Sequence, residues 1–283
     1  MENKEFATFI LTYGRAEKIY TYETLKRYNY TGHLYFVCSD DDKQLPVYKE
    51  MYGDKVVVFN KKEQQNLFDI GDNFQDNRVV VFARNAVFNI VKELGYKYFL
   101  VLDDDYTMIR YTRDEKFRYT TKGHVKNLDL LFKNLLDYYK QTNAKALCIA
   151  QGGDFIGGEN SRVFKNKLTR KAMNFFICSV DRPFKFMGRI NEDVNTYVTL
   201  GTKGDLFQTI ADIRLEQLPT QSNTGGLTEF YLDGGTYVKS FYTVLFSPSC
   251  TVINLMGNKH KRLHHRIKWN NATPVILEEK YKK

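Results

Sequence analysis

The sequence predicts an α/β fold in which a mostly parallel sheet carries helices on both faces and an extended C-terminal tail follows. Short apolar runs alternate with longer segments whose apolar residues recur at helical spacing, and this alternation predicts the sheet and its helices. Hydrophobic residues form 43% of the chain and aromatic residues 15%, which excludes general disorder. Only five prolines and no low-complexity linker favour one large domain over loosely tethered ones.

Strands and helices alternate regularly in the first half of the chain. The clearest helix begins at Arg84 and ends before Gly95, because its apolar side chains fall on one face. A helical stretch that ends at residue 27 follows the first strand. Strands are predicted at residues 6–11, 33–38, 55–60, 98–102 and 146–150, and further helices at 45–52 and 125–139.

The second half is less regular. Residues 152–171 are rich in glycine and basic residues and predict a loop. Gly234 and Gly235 weaken the last predicted helix, because glycine is unfavourable inside helices. Strands are predicted at residues 174–180, 210–215 and 250–255, and helices at 191–200 and 228–245.

The positive charge of the chain is concentrated in two stretches. Lys and Arg number 42 and Asp and Glu 33, which gives a net charge of +9. Residues 161–172 and 258–268 each hold five basic residues and no acidic one, and such clusters favour a polyanionic partner. The first stretch has the composition of a loop that contacts DNA phosphates, although an ordinary solvated loop is the alternative. Its basic residues are Arg162, Lys165, Lys167, Arg170 and Lys171.

The four cysteines are widely spaced, and each lies in an apolar run. This pattern predicts buried, reduced thiols in a cytoplasmic protein rather than a zinc site or a disulfide framework. No apolar run approaches the roughly 18 residues that a membrane helix needs. The first residues also lack the pattern of a signal peptide. We therefore expect a cytoplasmic location and no membrane partner.

An acidic triplet, Asp103 to Asp105, directly follows the strand predicted at 98–102. Ligands of open α/β sheets bind at the carboxyl ends of the strands. Adjacent carboxylates repel one another, and a Mg²⁺ or Mn²⁺ ion would remove that penalty while leaving positions free for phosphate oxygens. Asp103 and Asp105 are expected to point to the same side of an extended chain. A solvated acidic loop or a helix N-cap is the alternative here. It is the favoured interpretation for the run from Asp40 to Asp42, although a position near a nucleotide base is the other possibility for that strand end.

A set of segments in a fixed order carries a family resemblance. They are ILTYGRA at 10–16, FARNA at 82–86, LVLDDDY at 100–106, NEDVNTYV at 191–198, TGGLTEFY at 224–231, GTYVKSFY at 235–242 and HHRIKWNNATP at 264–274. The set resembles the GT-A glycosyltransferases, whose D-x-D motif holds a metal against a nucleotide-sugar diphosphate. It is more similar to one branch, the TET-associated glycosyltransferases of phages, which are related to other DNA-hydroxymethylpyrimidine glycosyltransferases.

This resemblance spans nearly the whole chain and implies a GT-A-type, Rossmann-like sheet in a single domain over residues 1–283. Residues 1–150 would form the half that binds the nucleotide sugar. Residues 151–257 would form the half that binds the acceptor, and residues 258–283 the basic tail.

The resemblance also implies roles for individual residues. In inverting members an acidic pair supplies the base that deprotonates the acceptor, and here the position favours Asp193, with Glu192 second. The alternative is that both acids stabilise a helix N-terminus. A C-terminal histidine completes many GT-A metal sites, so the implied ligands are Asp103, Asp105 and His265, with His264 as the other candidate histidine. Nucleotide-sugar contacts are expected from Thr12, Tyr13, Gly14, Arg15, Arg84, Asn85, Asp103, Asp104, Lys261 and His264.

The resulting hypothesis is a metal-dependent hexosyltransferase that uses Mn²⁺ or Mg²⁺ and UDP-glucose. It would glycosylate the hydroxymethyl group of 5-hydroxymethylcytosine or 5-hydroxymethyluracil in double-stranded DNA, and so protect phage DNA from host nucleases. Phe155, Phe164 or Tyr231 is a candidate for stacking on the target base. The alternatives are a GT-A enzyme with a polysaccharide or protein acceptor, a nucleotidyltransferase on a similar sheet, and a DNA-binding protein without enzymatic activity.

Overall fold

The computed structural model describes residues 5–72, 77, 79–161, 171–218, 236–257, 261–272 and 279. Its strands are β1 (Phe6–Leu11), β2 (His33–Ser39), β3 (Val56–Phe59), β4 (Tyr98–Asp103), β5 (Tyr106–Tyr111), β6 (Ala146–Gln151), β7 (Phe175–Ser179), β8 (Phe207–Gln217), β9 (Thr251–Met256) and β10 (Arg262–Ile267). Eight of them form a central sheet in the order β3-β2-β1-β4-β7-β6-β8-β5, and β9 pairs with β10 in a separate two-stranded sheet.

Eight described helices accompany these strands. They are α1 (Tyr20–Arg27), α2 (Leu45–Tyr52), α3 (Lys61–Gln65), α4 (Val81–Glu93), α5 (Leu128–Lys140), α6 (Glu192–Thr202), α7 (Thr236–Phe246) and α8 (Trp269–Ala272). None of the helices in the described part of the chain is long and apolar enough to cross a membrane.

The direction of the strands determines where a ligand site can form. Strand β1 runs parallel to β2 and β4, β2 runs parallel to β3, and β6 runs parallel to β8. Because β7 is antiparallel to both β4 and β6, these two strands also point the same way. The carboxyl ends of β1, β2, β3, β4, β6 and β8 therefore share one edge of the sheet, which is called the carboxyl edge below.

Both faces of the sheet are covered, as a parallel sheet requires. Side chains of β1 alternate between two cores, with Phe6 and Ile10 facing one and Ala7 and Phe9 the other. Helices α1, α2 and α5 cover the first core, and α4, α6 and α8 cover the second. The predicted α/β fold with helices on both faces is confirmed.

Two strands were not predicted from the sequence. Residues 106–111 form β5, which turns back directly after the acidic triplet and pairs antiparallel with β8. Residues 262–267 form β10 inside the expected tail and pair with β9. In each case the strand begins next to a run of charged residues, and in the case of β5 the pairing partner lies about a hundred residues further along the chain. Local periodicity does not detect such pairing.

The described part of the tail packs on the body of the protein. The indole ring of Trp269 stacks on Tyr197 of α6, with ring centroids 6.0 Å apart. Ser240 of α7 donates a hydrogen bond to the carbonyl oxygen of Leu263 in β10 at 2.9 Å. These contacts place β10 next to α6 and α7. The four cysteines are buried and free, as predicted.

Candidate active site

The acidic triplet lies at the carboxyl edge, at the end of the central strand β4. Asp104 is buried and accepts hydrogen bonds from Thr12 Oγ1 at 2.9 Å and from Arg15 Nη1 at 2.7 Å. Burial, together with the adjacent carboxylates of Asp103 and Asp104, raises the pKa of Asp105 to about 7. The three acids are therefore crowded, and Asp103 and Asp104 form ion pairs with Arg84 and Arg15.

Arg84 joins the triplet to the second acidic motif. Its Nη2 donates to both carboxylate oxygens of Asp103 at 3.0 Å, and its Nε lies 3.3 Å from Glu192 Oε1. The guanidinium lies over the rings of Phe176 and Phe186, 5.1 and 5.6 Å from their centroids. The side chain is only 2% exposed. One buried arginine thus holds the end of β4 and the beginning of α6 together.

The neighbouring Asn85, which was also expected to bind the nucleotide sugar, makes internal contacts. Its Nδ2 donates to the carbonyl oxygen of Phe186 at 2.9 Å, and its Oδ1 accepts from the amide of Phe186 at 2.8 Å. Both ends of the amide therefore hold the segment that leads to α6. Arg84 and Asn85 come from the ARN part of the FARNA motif, and their contacts shape the site from inside the protein.

The acidic pair begins α6, and both carboxyl groups are buried. Asp193 Oδ1 accepts a hydrogen bond from the amide of Val194 at 2.7 Å. Burial raises the pKa of Glu192 to about 7, although Arg84 acts in the opposite direction. The two acids differ in their partners, because Glu192 faces the guanidinium of Arg84 within 4 Å and Asp193 is bonded to the helix backbone.

Asn191 connects the acidic pair to the C-terminal elements. It adopts the left-handed conformation (φ 54°, ψ 34°), which asparagine tolerates better than most residues. Its Nδ2 donates to the carbonyl oxygen of Lys239 at 2.8 Å and lies 3.3 Å from Nδ1 of His265. A single buried amide therefore positions β10 and α7 against the start of α6.

The two histidines of β10 are adjacent and uncharged. Their ring centroids lie 4.5 Å apart. Burial, reinforced by nearby positive charge, lowers the pKa of His264 to about 4 and that of His265 to about 3. Both imidazoles are therefore neutral at pH 7, which is the form that binds metal ions.

Lys239 is a site residue that the sequence analysis missed. Burial lowers its pKa, and Arg262 and Lys171 add to that effect, whereas Asp193 and Glu192 oppose it. The lysine therefore lies within electrostatic reach of the acidic pair. One feature of the sequence could have indicated this residue. Lys239 is the single charged residue in the otherwise uncharged and largely apolar sequence of α7.

The turn after β1 is fixed by the elements beside it. Gly14 has a positive φ of 68°, and its amide donates to Asp42 Oδ2 at 2.7 Å. The hydroxyl of Tyr48 accepts from the amide of Arg15 and hydrogen-bonds to Thr12, both at 2.8 Å. Asp42 is buried in this arrangement. The solvated-loop interpretation of residues 40–42 is therefore wrong for Asp42. One carboxylate oxygen caps the turn after β1, and the other accepts from the amide of Gln44 at 2.9 Å, just before α2 begins, which agrees with the helix-capping alternative.

Tyr13 is the exposed member of this turn. The ammonium of Lys61 lies 5.0 Å from the centroid of the Tyr13 ring and 2.9 Å from Asp41 Oδ2. The pair places an aromatic ring and a cation at the carboxyl edge, beside the ends of β1 and β3. Such a ring can stack on a planar ligand.

Comparison with known proteins identifies the family. The pattern of the TET-associated glycosyltransferase family matches residues 6–226, which is well over half of the chain. The protein belongs to this family. No curated protein matches the chain in sequence.

Solved structures similar to this TET-associated glycosyltransferase include glucosyl-3-phosphoglycerate synthase from Mycobacterium tuberculosis. Its complex with Mg²⁺ and UDP aligns with a TM-score of 0.48 at 10% identity, covering 93% of this chain and 87% of that one. The complex with Mn²⁺, UDP and phosphoglyceric acid aligns with a TM-score of 0.47 at 8% identity, covering 93% and 86%. The complex with phosphoglyceric acid gives 0.46 at 11% identity, covering 91% and 86%.

The acids of this TET-associated glycosyltransferase fit a hard divalent cation. Among the described residues, no group of three or more His, Cys, Asp or Glu side chains lies close enough to hold a metal ion without further ligands. Mg²⁺ usually binds one or two carboxylates together with substrate phosphates. Asp103 and Asp105 supply two carboxylates, and a bound cation would offset the burial and the neighbouring negative charges that raise the pKa of Asp105.

The expected DNA-contacting residues of the enzyme are described only in part. Arg162, Lys165, Lys167 and Arg170 lie outside the described residues. Lys171 is described, and its ammonium lies 3.6 Å from Asp154 Oδ1. Its charge also acts on both histidines, so the end of the basic stretch is near the site. Lys261 is exposed just before β10.

Substitutions of Asn191 test the connection between α6, α7 and β10 in this glycosyltransferase. We expect Asn191→Asp to lower kcat about 10- to 100-fold, the usual effect of altering a residue that orients a functional group, because a carboxylate cannot donate to Lys239. Asn191→Gly keeps the left-handed backbone, so it separates the backbone from the side chain. We expect it to lose activity too, with little change in the melting temperature. Wild-type kcat in Asn191→Gly would contradict a role for the side chain.

Proposed function

We propose that this TET-associated glycosyltransferase transfers glucose from UDP-glucose to a hydroxymethylated pyrimidine in double-stranded DNA. The acceptor group is the hydroxymethyl of 5-hydroxymethylcytosine or 5-hydroxymethyluracil. The observation that carries the proposal is the meeting of the acid triplet and the acid pair on the two sides of Arg84 at the carboxyl edge. One acidic motif suits a metal and a diphosphate, and the other suits an acceptor hydroxyl. The TET association of the family and the two basic stretches support DNA as the acceptor.

The proposed reaction exchanges one C–O bond for another. The hydroxymethyl oxygen attacks C1 of the glucose and forms the glycosidic bond. The bond between C1 and the diphosphate oxygen breaks, and its electron pair leaves with UDP. The hydroxyl proton must leave during the attack, because an alcohol has a high pKa, and it passes to a carboxylate. This assignment assumes inversion of configuration at C1.

Asp193 is the proposed base, and Glu192 is the second choice. The partner of Glu192 supports this order, because Arg84 lies 3.3 Å from its carboxylate and competes for the electron pair that a base needs. Asp193 is bonded through one oxygen to the amide of Val194, which fixes the carboxylate and leaves its other oxygen for the acceptor. Glu192 would then position Arg84 and, through it, Asp103.

Asp103 and Asp105 are the proposed ligands of Mn²⁺ or Mg²⁺. The expected third ligand, His265, does not form a three-ligand group with them in the described part of the chain. When bound, the cation would neutralise the negative charge that develops on the departing diphosphate. Arg15, Lys239 and Lys261 would supply further positive charge to that group. Tyr13 and Gly14 would contact the nucleotide, and the neutral rings of His264 and His265 would close the donor site from the side of β10.

Mass spectrometry of nucleosides tests this proposal directly. Duplex DNA that contains 5-hydroxymethylcytosine, 5-hydroxymethyluracil or unmodified pyrimidines is incubated with the protein, Mn²⁺ and a panel of nucleotide sugars, and then digested. We expect a hexosylated nucleoside only with a hydroxymethylated duplex, and most with UDP-glucose. An Asp193→Asn variant is expected to give no product, whereas Glu192→Gln retains part of the activity.

The alternative acceptor is a polysaccharide or a protein. UDP release that is stimulated by such an acceptor and not by hydroxymethylated DNA would support this alternative and exclude the DNA proposal. Neutralising Lys165, Lys167, Arg170 and Lys171 provides a second check. If these residues contact DNA phosphates, the slope of log affinity against log salt becomes shallower.

A further inference from the structure

A β-hairpin extends from the end of β5 and closes in a tight turn. Arg113 and Tyr119 form an antiparallel bridge across it. The amide of Asp114 donates to the carbonyl oxygen of Arg118 at 2.9 Å, and the amide of Phe117 donates to the carbonyl oxygen of Asp114 at 2.9 Å. The carboxylate of Asp114 also accepts from the amide of Arg118 at 2.9 Å. The tip of the hairpin is therefore internally hydrogen-bonded, with Phe117 in the turn.

Phe117 combines an unfavourable backbone conformation with high exposure. Its φ is 59°, in the left-handed region that a bulky residue rarely adopts. Its side chain is 80% exposed, the second-highest exposure among the large hydrophobic residues described. Packing of the ring therefore does not compensate for the backbone strain. Such strain often occurs where a side chain serves a function rather than stability.

The hairpin is anchored to the segment that follows β6. The ring of Tyr119 stacks on Phe155, with centroids 5.9 Å apart and an interplanar angle of 22°. The amide of Tyr119 donates to Glu159 Oε1 at 3.2 Å, and Arg214 Nη1 donates to the Tyr119 hydroxyl at 3.3 Å. The segment at 152–160 begins at the carboxyl end of β6, so these contacts join the hairpin to a segment that starts at the carboxyl edge, although β5 itself runs away from that edge.

The segment that anchors the hairpin also has an exposed apolar side chain. Ile156 is 84% exposed, and the same segment leads directly into the basic stretch 161–172. Phe155, a candidate for base stacking in the sequence analysis, is only 4% exposed because Tyr119 covers it. Phe164 and Tyr231, the other candidates, lie outside the described residues. Phe117 is thus the most exposed aromatic ring among the described residues of this surface.

The sequence around Phe117 has an excess of basic residues, although Arg110, Arg113 and Arg118 form ion pairs with Glu216, Asp212 and Asp114. Lys116 and Arg118 flank it in sequence, and both are exposed. Over residues 110–122, five basic residues stand against the two acids Asp114 and Glu115. The basic residues are Arg110, Arg113, Lys116, Arg118 and Lys122.

We propose that this hairpin tip is a DNA contact in which Phe117 stacks on the bases next to the target pyrimidine, and this inference rests on the proposed DNA acceptor. An exposed aromatic ring between cations matches nucleic acid, because the ring stacks on bases while the cations contact phosphates. An enzyme that modifies a base in a duplex must unstack that base or reach it in a groove. An apolar side chain that inserts beside the unstacked base replaces part of the stacking that its neighbouring bases lose.

The test uses two matched variants of the full chain. Phe117→Asn removes the ring but suits the left-handed backbone, so the hairpin is expected to remain folded and the melting temperature not to fall. Tyr138→Ala is the control, because Tyr138 is also an exposed aromatic residue (45%). Tyr138 lies near the C-terminal end of α5. This end leads into the start of β6, at the edge of the sheet opposite the carboxyl edge. Binding is measured with a duplex that contains one 5-hydroxymethylcytosine next to 2-aminopurine, whose fluorescence reports unstacking.

We expect Phe117→Asn to raise Kd roughly 5- to 150-fold, as loss of one base–aromatic stack does, and to abolish the fluorescence change. Tyr138→Ala is expected to bind like the wild type. If Phe117→Asn binds and unstacks the duplex like the wild type, or if Tyr138→Ala loses the same affinity, the hairpin inference is overturned while the proposed function stands. If the wild type neither binds this duplex nor transfers glucose to it, both proposals are overturned.

Discussion

Asp105→Asn is expected to lower glucosyl transfer roughly 100- to 1,000-fold, because a charge that stabilises the departing diphosphate is lost from the site. The same change is expected to stabilise the protein in the absence of metal, since it removes one of three adjacent carboxylates. The measurements are initial rates with saturating Mn²⁺ and UDP-glucose, and thermal unfolding with and without Mn²⁺. If Asp105 is a metal ligand, the substitution lowers activity and raises the stability of the metal-free protein.

The effect of Mn²⁺ on unfolding separates this role from a general loss of structure. A cation that binds only the folded wild type raises its melting temperature, and we expect a much smaller increase for Asp105→Asn. Asp181→Asn is the matched control, because Asp181 is an exposed acid that pairs with Lys97 on the surface. If Asp105→Asn keeps both the wild-type rate and the wild-type response to Mn²⁺, Asp105 is not a ligand.

Arg84→Met is expected to reduce the free energy of unfolding by about 3–5 kcal/mol, the usual effect of removing one partner of a buried ion pair. Methionine has a similar length, so the main loss is the charge that compensates Asp103 and Glu192. Urea unfolding at pH 7.5 measures the effect. We also expect transfer to fall, because Asp103 and α6 lose their common anchor.

Two further variants identify the cause of that destabilisation. Lys97→Met breaks the exposed Lys97–Asp181 pair, whose side chains are 50% and 61% exposed, and is expected to leave the free energy of unfolding nearly unchanged, because solvent screens exposed ion pairs. Glu192→Gln in the Arg84→Met background removes one of the uncompensated charges and should restore part of the stability. Equal effects of Arg84→Met and Lys97→Met would show that the buried arginine network does not hold the site together.

Local sequence patterns predicted most of the sheet. Strand β1 at Phe6–Leu11 and helix α2 at Leu45–Tyr52 have the predicted bounds, because their apolar runs are short and end at turn residues. Helix α4 begins one turn earlier than predicted, at Val81. Strands β5 and β10 were not predicted, because neither has a clear periodic pattern in its sequence. Each is a strand because it pairs with a neighbouring strand in the fold.

The candidate site was predicted in its components but not in its connections. The position of the acidic triplet at a strand end was correct, because the apolar strand directly precedes it. Arg84 was expected to face the nucleotide sugar, whereas it is buried between Asp103 and Glu192. Lys239 and Asn191 were missed, since a lysine in an apolar helix and an asparagine before an acidic pair are common features of proteins.

The sequence by itself determined which chemical groups are available and at which ends of the strands they occur. It also determined that two stretches hold ten basic residues and no acidic one, while the rest of the chain is close to neutral in sum. Only the tertiary structure decided which charges meet and which are removed from water. Arg84 pairs with acids from β4 and α6 because the fold brings these elements together. These ion pairs matter because burial increases the free-energy cost of a charge that has no partner. Proximity and burial are both properties of the folded chain, so the sequence pattern alone does not contain them.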